Sequence, residues 1–574
     1  MSDLYSKASL VMNPQLVDTG KVYSIKPEDR KGDFTFTRSS AATRVNADGN
    51  IEKETQNLIL QSNTFNIGYV LEGGATITGN QAGYDGTNNA WLLSKNADWS
   101  HIYQNISQGG VWTASIYAKA GTTNWLALEN SGIAGDTCYF DLSSGVTGST
   151  GIGVIGSSIE DIGNGWYRCS VTINGTSIRQ RIYPAFSNGN INGGNGNIYI
   201  QNFQLEQGLV ARDYIETTTT AVEGGITDNV PRLDYTDSSC PALLLEPQRT
   251  NAFSHSEYFD GFSNDQVSVA YNAASPENII NAATLTGTGT FPKVRAYPPL
   301  SDNTNYCVSV FAKVGTASVF GILAKAKDDS VYHIECDLSD GSVTSVGTNT
   351  PSDLNSINYG NGWYRFYMVY DSLTGATGSP EVRLLNHRST ANNGWTDGLT
   401  ILAYGGMHEA GSYPTSYIPT YGSSVTRNQD SPNMQISSLV PNGFFSDTYS
   451  IMFDYKDFDR GAGSANLNYL YDTSNQICMY IYGGTIAIST LSGEQYIAFP
   501  EADGKLAFIY DGTNLKIYKN GSQYDSTIAV STRWENPNFY RLYGSNTTST
   551  ISYNTFMLFP TALTDQEAIA LTTI

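Results

Sequence analysis

Gly163-Asn164-Gly165-Trp166-Tyr167-Arg168 returns unchanged as Gly360-Asn361-Gly362-Trp363-Tyr364-Arg365. Asn-Gly tolerates positive φ at both central positions of a tight hairpin, so each hexapeptide reads as a turn that feeds a strand. The predicted strands run over 166–173 and 363–370. Other pieces recur in the same order around this pair. Ser115-Ile116-Tyr117-Ala118-Lys119-Ala120-Gly121 returns as Ser309-Val310-Phe311-Ala312-Lys313-Val314-Gly315, and Phe140-Asp141-Leu142-Ser143 as Cys336-Asp337-Leu338-Ser339. Glu206, Gly208, Tyr214 and Ile215 come back as Glu409, Gly411, Tyr417 and Ile418. The separations are 194, 196, 197 and 203 residues, the series expected of two homologous domains that differ by small loop insertions.

Within each copy the periodicity is two. Trp112, Ala114, Ile116 and Ala118 fall on one side of a ladder, and Thr113, Ser115, Tyr117 and Lys119 on the other. Short strands with glycine-rich turns imply a two-sheet sandwich in each copy. After about residue 430 the pattern changes. Strands are expected over 448–453, 465–471, 476–481, 485–488, 505–510 and 515–519, followed by one helix in which Thr564 and Glu567 form a capping box. The division is a β-rich N-terminal region over 1–53, a first sandwich over 54–225, a connector over 226–247, a second sandwich over 248–430 and a third over 431–574. The connector's Ala242-Leu243-Leu244-Leu245-Glu246 is too apolar for a free linker and is expected to dock as a strand.

Composition agrees with an all-β, multidomain chain. Its 574 residues exceed one hydrophobic core, and 56 glycines and 38 tyrosines suit turns and strands better than helix interiors. Lys+Arg total 32 against Asp+Glu 53, a net charge of -21, so nucleic acid is a poor partner. Six cysteines show no CxxC pair and no disulfide framework. Met1-Ser2-Asp3 opens a polar stretch unlike a signal peptide, and no run of eighteen apolar residues marks a membrane span.

Phe36-Thr37-Arg38-Ser39-Ser40-Ala41-Ala42-Thr43-Arg44-Val45, then Gly49 and Asn57-Leu58-Ile59-Leu60-Gln61-Ser62, resembles a signature common in bacteriophage tail and fibre proteins. Leu243-Leu244-Leu245-Glu246-Pro247-Gln248-Arg249-Thr250-Asn251 resembles another part of it. The resemblance covers most of 34–425 and implies jelly rolls similar to carbohydrate-binding modules. Residues 432–574 resemble the laminin-G, or concanavalin-like, fold, through Lys505–Gly512, Leu515–Gly521 and Leu563–Glu567. Such domains often bind glycans or proteins, sometimes through calcium. The resemblance implies a virion protein assembled in the host cytoplasm and acting outside it. Such a protein would join other virion proteins through its N-terminal region, form a homotrimer and touch cell-surface glycans.

Sugar recognition of that kind needs flat rings beside amide and carboxylate groups. The unrepeated Trp91, Trp99, Trp125 and Trp395, with Tyr103, Asn124 and Glu129, are the candidates, joined by Trp534 and Tyr540 in the third sandwich. Ordinary core packing is the alternative for each. Trp166 and Trp363 recur strictly and read as structural core. Glu206 and Glu409 recur near the last strand of each copy, where similar modules often hold calcium. A salt bridge or turn contact explains them equally well, and no cofactor is required by any motif. There is no G-x-S-x-G, P-loop or dinucleotide fingerprint, the five histidines lack metal-ligand spacing, and Asp454/Asp457/Asp459 and Asp328/Asp329 have no partner arrangement. The expectation is therefore a non-enzymatic fibre protein that mediates glycan contact. The alternatives are a purely structural decoration, collar or adaptor protein, and a polysaccharide depolymerase.

Overall fold

The computed structural model describes residues 2–573 apart from 107–108, 131–135, 176–177, 237, 373–377, 388–393, 436–447, 460–465, 472–476, 483–484, 500–502, 532–533, 535–538 and 544–548. Nearly all of its regular structure is strand. The two repeats are jelly-roll sandwiches with the same strand order. In the first, the back sheet runs Val154–Gly163, Trp166–Gly175, Gly110–Ala120, Gly196–Gln207, Ala90–Lys95, Thr76–Gln81. The front sheet runs Val146–Thr150, Thr137–Asp141, Trp125–Asn130, Ile178–Ala185, His101–Ile106, Val70–Glu72. In the second, the back sheet is Asp353–Asn358, Trp363–Ser372, Thr304–Val314, Thr400–Ala410, Ile280–Gly287, Val267–Ala274. Its front sheet is Val343–Ser345, Val331–Asp337, Val319–Lys325, Glu381–Asn386, Lys293–Ala296, Ser263–Asp265.

The repeated turn is what its sequence dictates. Asn164 and Gly165 have φ of 55° and 76°, and Asn361 and Gly362 have 50° and 78°. The tryptophan after each turn pairs with Lys119 in one copy and Lys313 in the other. Trp166 and Trp363 are both buried, Trp166 against Tyr84 and Trp363 in an apolar cluster with Ile51, Phe311 and Tyr404 that lies apart from the sandwich core.

The third unit is larger than the pattern after residue 430 indicates. Its strands join into one closed sheet that also contains Leu10–Asp18, Lys21–Lys26, Phe34–Thr37, Arg232–Asp234, Ala242–Leu245 and Ser431–Gln435. Leu10 pairs with Leu558, Thr35 with Asn433 and Leu243 with Tyr553. Leu10, Met12, Val22, Phe34, Phe36, Leu243 and Leu245 share one core with Ile451, Phe453, Phe508 and Phe556. The connector docks as the strand its composition implies. The N-terminal strands are hydrogen-bonded into the C-terminal unit, because a strand with one apolar face needs a sheet to bury it. A short helix, Ser2–Lys7, places Leu4 in one apolar cluster with Leu571 of the closing helix Asp565–Thr572. That closing helix has the capping box of Thr564 and Glu567. No helix among the described residues is long and apolar enough to cross a membrane.

Two buried ionic networks join these units. Arg38, Arg232 and Arg427 meet Glu246 and Asp430. Arg38 Nη1 lies 3.0 Å from Asp430 Oδ1, Arg232 Nη1 2.5 Å from Glu246 Oε2, and Arg427 Nη1 2.8 Å from Glu246 Oε2. Arg232 also pairs with Asp430. In the second network Lys53 Nζ lies 2.6 Å from Glu257 and 3.0 Å from Glu277, and Tyr421 OH is 2.5 Å away. Arg212 of the first jelly roll pairs with the same Glu277. Burial would push Glu277 up, but Lys53 and Arg212 overcome it and hold the carboxyl below the usual range.

Glu54, next to Lys53, has no such cation among the described residues. Burial first, then Glu223 and Asp228, push its carboxyl up to about 7. The folded chain therefore keeps this proton more tightly than the unfolded chain, whose glutamates titrate near about 4.3. That stabilisation is complete below the unfolded value and is lost as pH rises through about 7. Glu54→Gln, neutral at every pH, is expected to flatten the fall in melting temperature over this window in a pH series of thermal melts.

Candidate functional site

Strands alternate their side chains, so the front sheet of the first jelly roll turns one residue in two away from the core. Cross-strand register assembles these outward residues into rows. Tyr139 lies opposite Ala127, and Ala127 opposite Tyr183; His101 is opposite Glu72. In the next row Thr137 faces Glu129, Glu129 faces Arg181, Arg181 faces Tyr103 and Tyr103 faces Val70. The face is thus aromatic and ionic together.

Its groups are held in place. Glu129 Oε1 accepts from Arg181 Nη1 at 2.9 Å. Tyr103 OH donates to Glu72 Oε1 at 3.0 Å, and the Arg179 guanidinium lies 5.0 Å above the Tyr103 ring. The His101 ring stacks with Tyr103, at 5.6 Å between centroids, and meets Tyr183 at a tilt, at 4.6 Å. The His101 Nδ1–H donates to the Trp99 carbonyl at 2.6 Å. Burial pushes the His101 pKa down, so at neutral pH the ring is uncharged and Nε2 is a bare acceptor. Nε2 has no hydrogen-bond donor among the described residues, and its nearest carboxylate oxygen, Glu72 Oε2, is 3.4 Å away. Burial and the Glu129 charge push the Tyr183 phenol up, so it stays a neutral donor beside that carboxylate.

Two exposed rings stand at one end of this face. Trp99 is 55% exposed although its backbone sits in the left-handed region, at φ 62°. Such a conformation in a bulky residue persists only where its surroundings impose it. Here Ser100 Oγ ties the turn by accepting from Ala97 N at 3.1 Å and donating to the Gly73 carbonyl. Phe186, 56% exposed, lies on the neighbouring turn, and Gly193 N–H donates to Asp98 Oδ1 at 2.7 Å to join the two loops.

Of the residues singled out from the sequence, the structure gathers Trp99, Tyr103, Trp125 and Glu129 on this one face. Trp125 is half-buried against Gly148, and Asn124 beside it is exposed, its carbonyl accepting from Leu142 N at 2.7 Å. The others lie elsewhere. Trp91 packs into the first core, its Nε1 donating to the Asn63 carbonyl at 3.0 Å. Trp395 is fully buried in the second core and donates to the Leu399 carbonyl at 3.2 Å. Trp534 and Tyr540, read as surface aromatics, are fully buried in the third, where Trp534 Nε1 reaches the Ser489 carbonyl at 3.1 Å. His101, Arg181, Tyr183 and Phe186 escaped the sequence reading, because their neighbours are set by register across strands.

The recurring glutamates hold turns. Glu206 Oε1 accepts from Arg212 N at 3.0 Å and Gln204 Nε2 at 2.6 Å. Glu409 accepts from Thr415 N at 2.9 Å and Thr415 Oγ1 at 2.7 Å, with Arg249 3.6 Å away. Among the described residues no group of three or more His, Cys, Asp or Glu is arranged to hold a metal.

The second jelly roll serves as an internal control. The positions of Trp125, Ala127 and Glu129 are taken there by Val319, Gly321 and Leu323, and those of His101 and Tyr103 by Lys293 and Arg295. This face is laced by ion pairs, Lys293 to Asp265 at 2.9 Å and Arg383 to Glu381 at 2.8 Å. The fold itself therefore does not demand the aromatic set.

No family model and no curated protein sequence matches the chain. Among solved structures it is similar to a Trypanosoma rangeli sialidase in complex with sialic acid, 8% identical over 93% of this chain and 97% of that one, with a TM-score of 0.19. It is also similar to a GH43 protein from Bacillus licheniformis, 10% identical over 96% of this chain and 100% of that one, at 0.17. TM-scores of this size do not describe a shared architecture.

Proposed function

We propose that this chain is a non-enzymatic bacteriophage virion protein of the fibre type, and that the front face of its first jelly roll binds a glycan. The observation that carries the binding site is the contrast between the two homologous modules. One fold, repeated, presents an ion-pair lattice in one copy. In the other it presents two exposed rings beside a buried acceptor and a buried phenol. A pyranose stacks its C–H face on Trp99 or Phe186, and its hydroxyls reach the part-exposed Glu129–Arg181 pair, with the buried Tyr183 phenol beside that carboxylate. The placement in a virion is supported by the signature residues of 34–62 and 243–251, and a homotrimer is the assembly expected of it. With the N-terminal strands built into the third unit, attachment to the particle falls to that unit as a whole.

The test is binding of the full chain to an array of bacterial lipopolysaccharide and capsular polysaccharides. Trp99→Ala and Arg181→Ala are expected to lose at least about tenfold in affinity, the scale of one stacked ring or one charged hydrogen bond. Arg383→Ala, on the corresponding face of the second module, is expected to bind as the wild type does. Retention of no glycan, or equal binding by all three variants, would leave the purely structural role, which the spending of Arg38 and Glu246 on joining modules favours.

A further inference from the structure

The two jelly rolls also differ in one row on the inner side of their front sheets. In the first, Gln104 is opposite Gln180 and Gln180 opposite Asn130. Asp136 precedes Thr137, whose partner is Glu129, so Asp136 stands at the end of the same row beside Asn130. The adjoining row is apolar throughout: Cys138, Leu128, Ile182 and Ile102. In the second jelly roll the equivalent positions hold Tyr332, Ala324, Val382 and Ala296. The fold is content with apolar side chains there, so the polar row needs its own explanation.

Asp136, Asn130 and Gln180 are each 1% exposed. Two members of the row are hydrogen-bonded. Gln104 accepts from Leu60 N at 3.1 Å and donates to the Leu60 carbonyl at 2.6 Å, and Asn130 Oδ1 accepts from Arg179 N at 3.1 Å. Asp136 and Gln180 are not. Neither carboxylate oxygen and neither end of the amide has a hydrogen-bond partner among the described residues. The charge acting on Asp136 is that of Glu129, of its own sign, and with burial it pushes the carboxyl up to about 6. At neutral pH the group is still mostly ionised, and a buried anion without a counter-charge does not persist in a stable core.

We infer that this row is a site for a hard divalent cation, with Asp136 as its anionic ligand and the side-chain carbonyls of Gln180 and Asn130 as neutral ones. A cation supplies the missing charge and takes up the Gln180 oxygen at once, whereas water would leave the anion uncompensated. Calcium fits better than magnesium, because ligands drawn from three strands give an irregular oxygen set. One carboxylate predicts weak binding, with a Kd of roughly 0.1–1 mM. The site lies on the opposite side of the sheet from Glu129 and Tyr139, so it stands independently of the glycan reading.

The test is calcium titration of the full chain after removal of bound metal with EDTA, followed by heat and by melting temperature. Roughly 0.15 M salt screens loose binding to the acidic surface. The expected result is one saturable site and a rise in melting temperature. Asp136→Asn, equal in size, should fold without calcium, lose at least about tenfold in affinity and lose the rise. Gln180→Leu should weaken binding less. A wild type without a saturable site, or a calcium response undiminished in Asp136→Asn, overturns the inference.

Discussion

Glu246→Ala is expected to destabilise the chain by roughly 3–5 kcal/mol, the cost of removing one partner from a buried ionic cluster. Glu246 accepts from Arg232 at 2.5 Å, Arg427 at 2.8 Å, Ser416 N at 2.7 Å and Ser416 Oγ at 2.5 Å. Without it, Arg38 and Arg232 keep Asp430 as their ion-pair partner, and Arg427 keeps only the charges of Asp430 and Glu409 acting on it among the described residues. The arginines have no route to water, since Arg38, Arg232 and Arg427 are all buried. Urea unfolding is the measurement, and a loss below about 1 kcal/mol would mean that the cluster relaxes when opened. Glu246→Gln separates charge from shape. Burial would push the Glu246 carboxyl up, but Arg427 and Arg232 overcome it and hold it well below the usual range. Its stabilisation is therefore present above the unfolded value of about 4.3 and is lost as pH falls through the lower folded one. In the glutamine variant this acid dependence should shrink.

The same cluster shows what could be read from the sequence and what could not. Arg38 and Glu246 belong to the two segments that resemble the phage signature, yet their charged partners in the cluster are 392 and 14 to 181 residues away in sequence. Nothing local announces such pairings. The duplication was legible because each module keeps its turns, and the Asn-Gly pairs take the positive φ their residue types favour. The helix cap at Thr564 was legible for the same reason, being complete within four residues. The pairing of the N-terminal strands was not, because Leu10 finds its partner at Leu558. Tryptophans were the hardest to place. An unrepeated ring is as useful to a core as to a surface, and Trp395 and Trp534 went inside while Trp99 stayed out. The candidate face was half visible: period two puts Trp125 and Glu129 on one side of their strand, but only register brings Arg181 and Tyr183 beside them.

Gly110→Ala is expected to part the two jelly rolls. Val111 N–H donates across the junction to the Tyr421 carbonyl at 2.8 Å. A Cβ on Gly110 would lie 1.9 Å from that same oxygen, and the residue has φ of 108°, outside the range other residues accept. Backbone blocks it, so no side-chain movement gives relief. Loss of the hydrogen bond and added strain together cost about 2–4 kcal/mol. Gly422→Ala attacks the junction from the other side, where φ is 150° and a Cβ would meet Gly110 Cα at 2.9 Å. Hydrogen exchange at the Val111 amide should quicken, and X-ray scattering should show a larger radius of gyration. The Arg212–Glu277 pair remains, so the modules separate at this edge and do not unfold. Affinity for a single soluble glycan should then stay the same, because the front face lies within one module. Retention on a polysaccharide-coated surface should fall if the chain is the proposed trimer, since a loosened mount lowers the effective concentration of one face while another copy is engaged. If both measures fell together, the junction would be holding the binding face in shape. If neither fell, the contact between modules would serve stability alone.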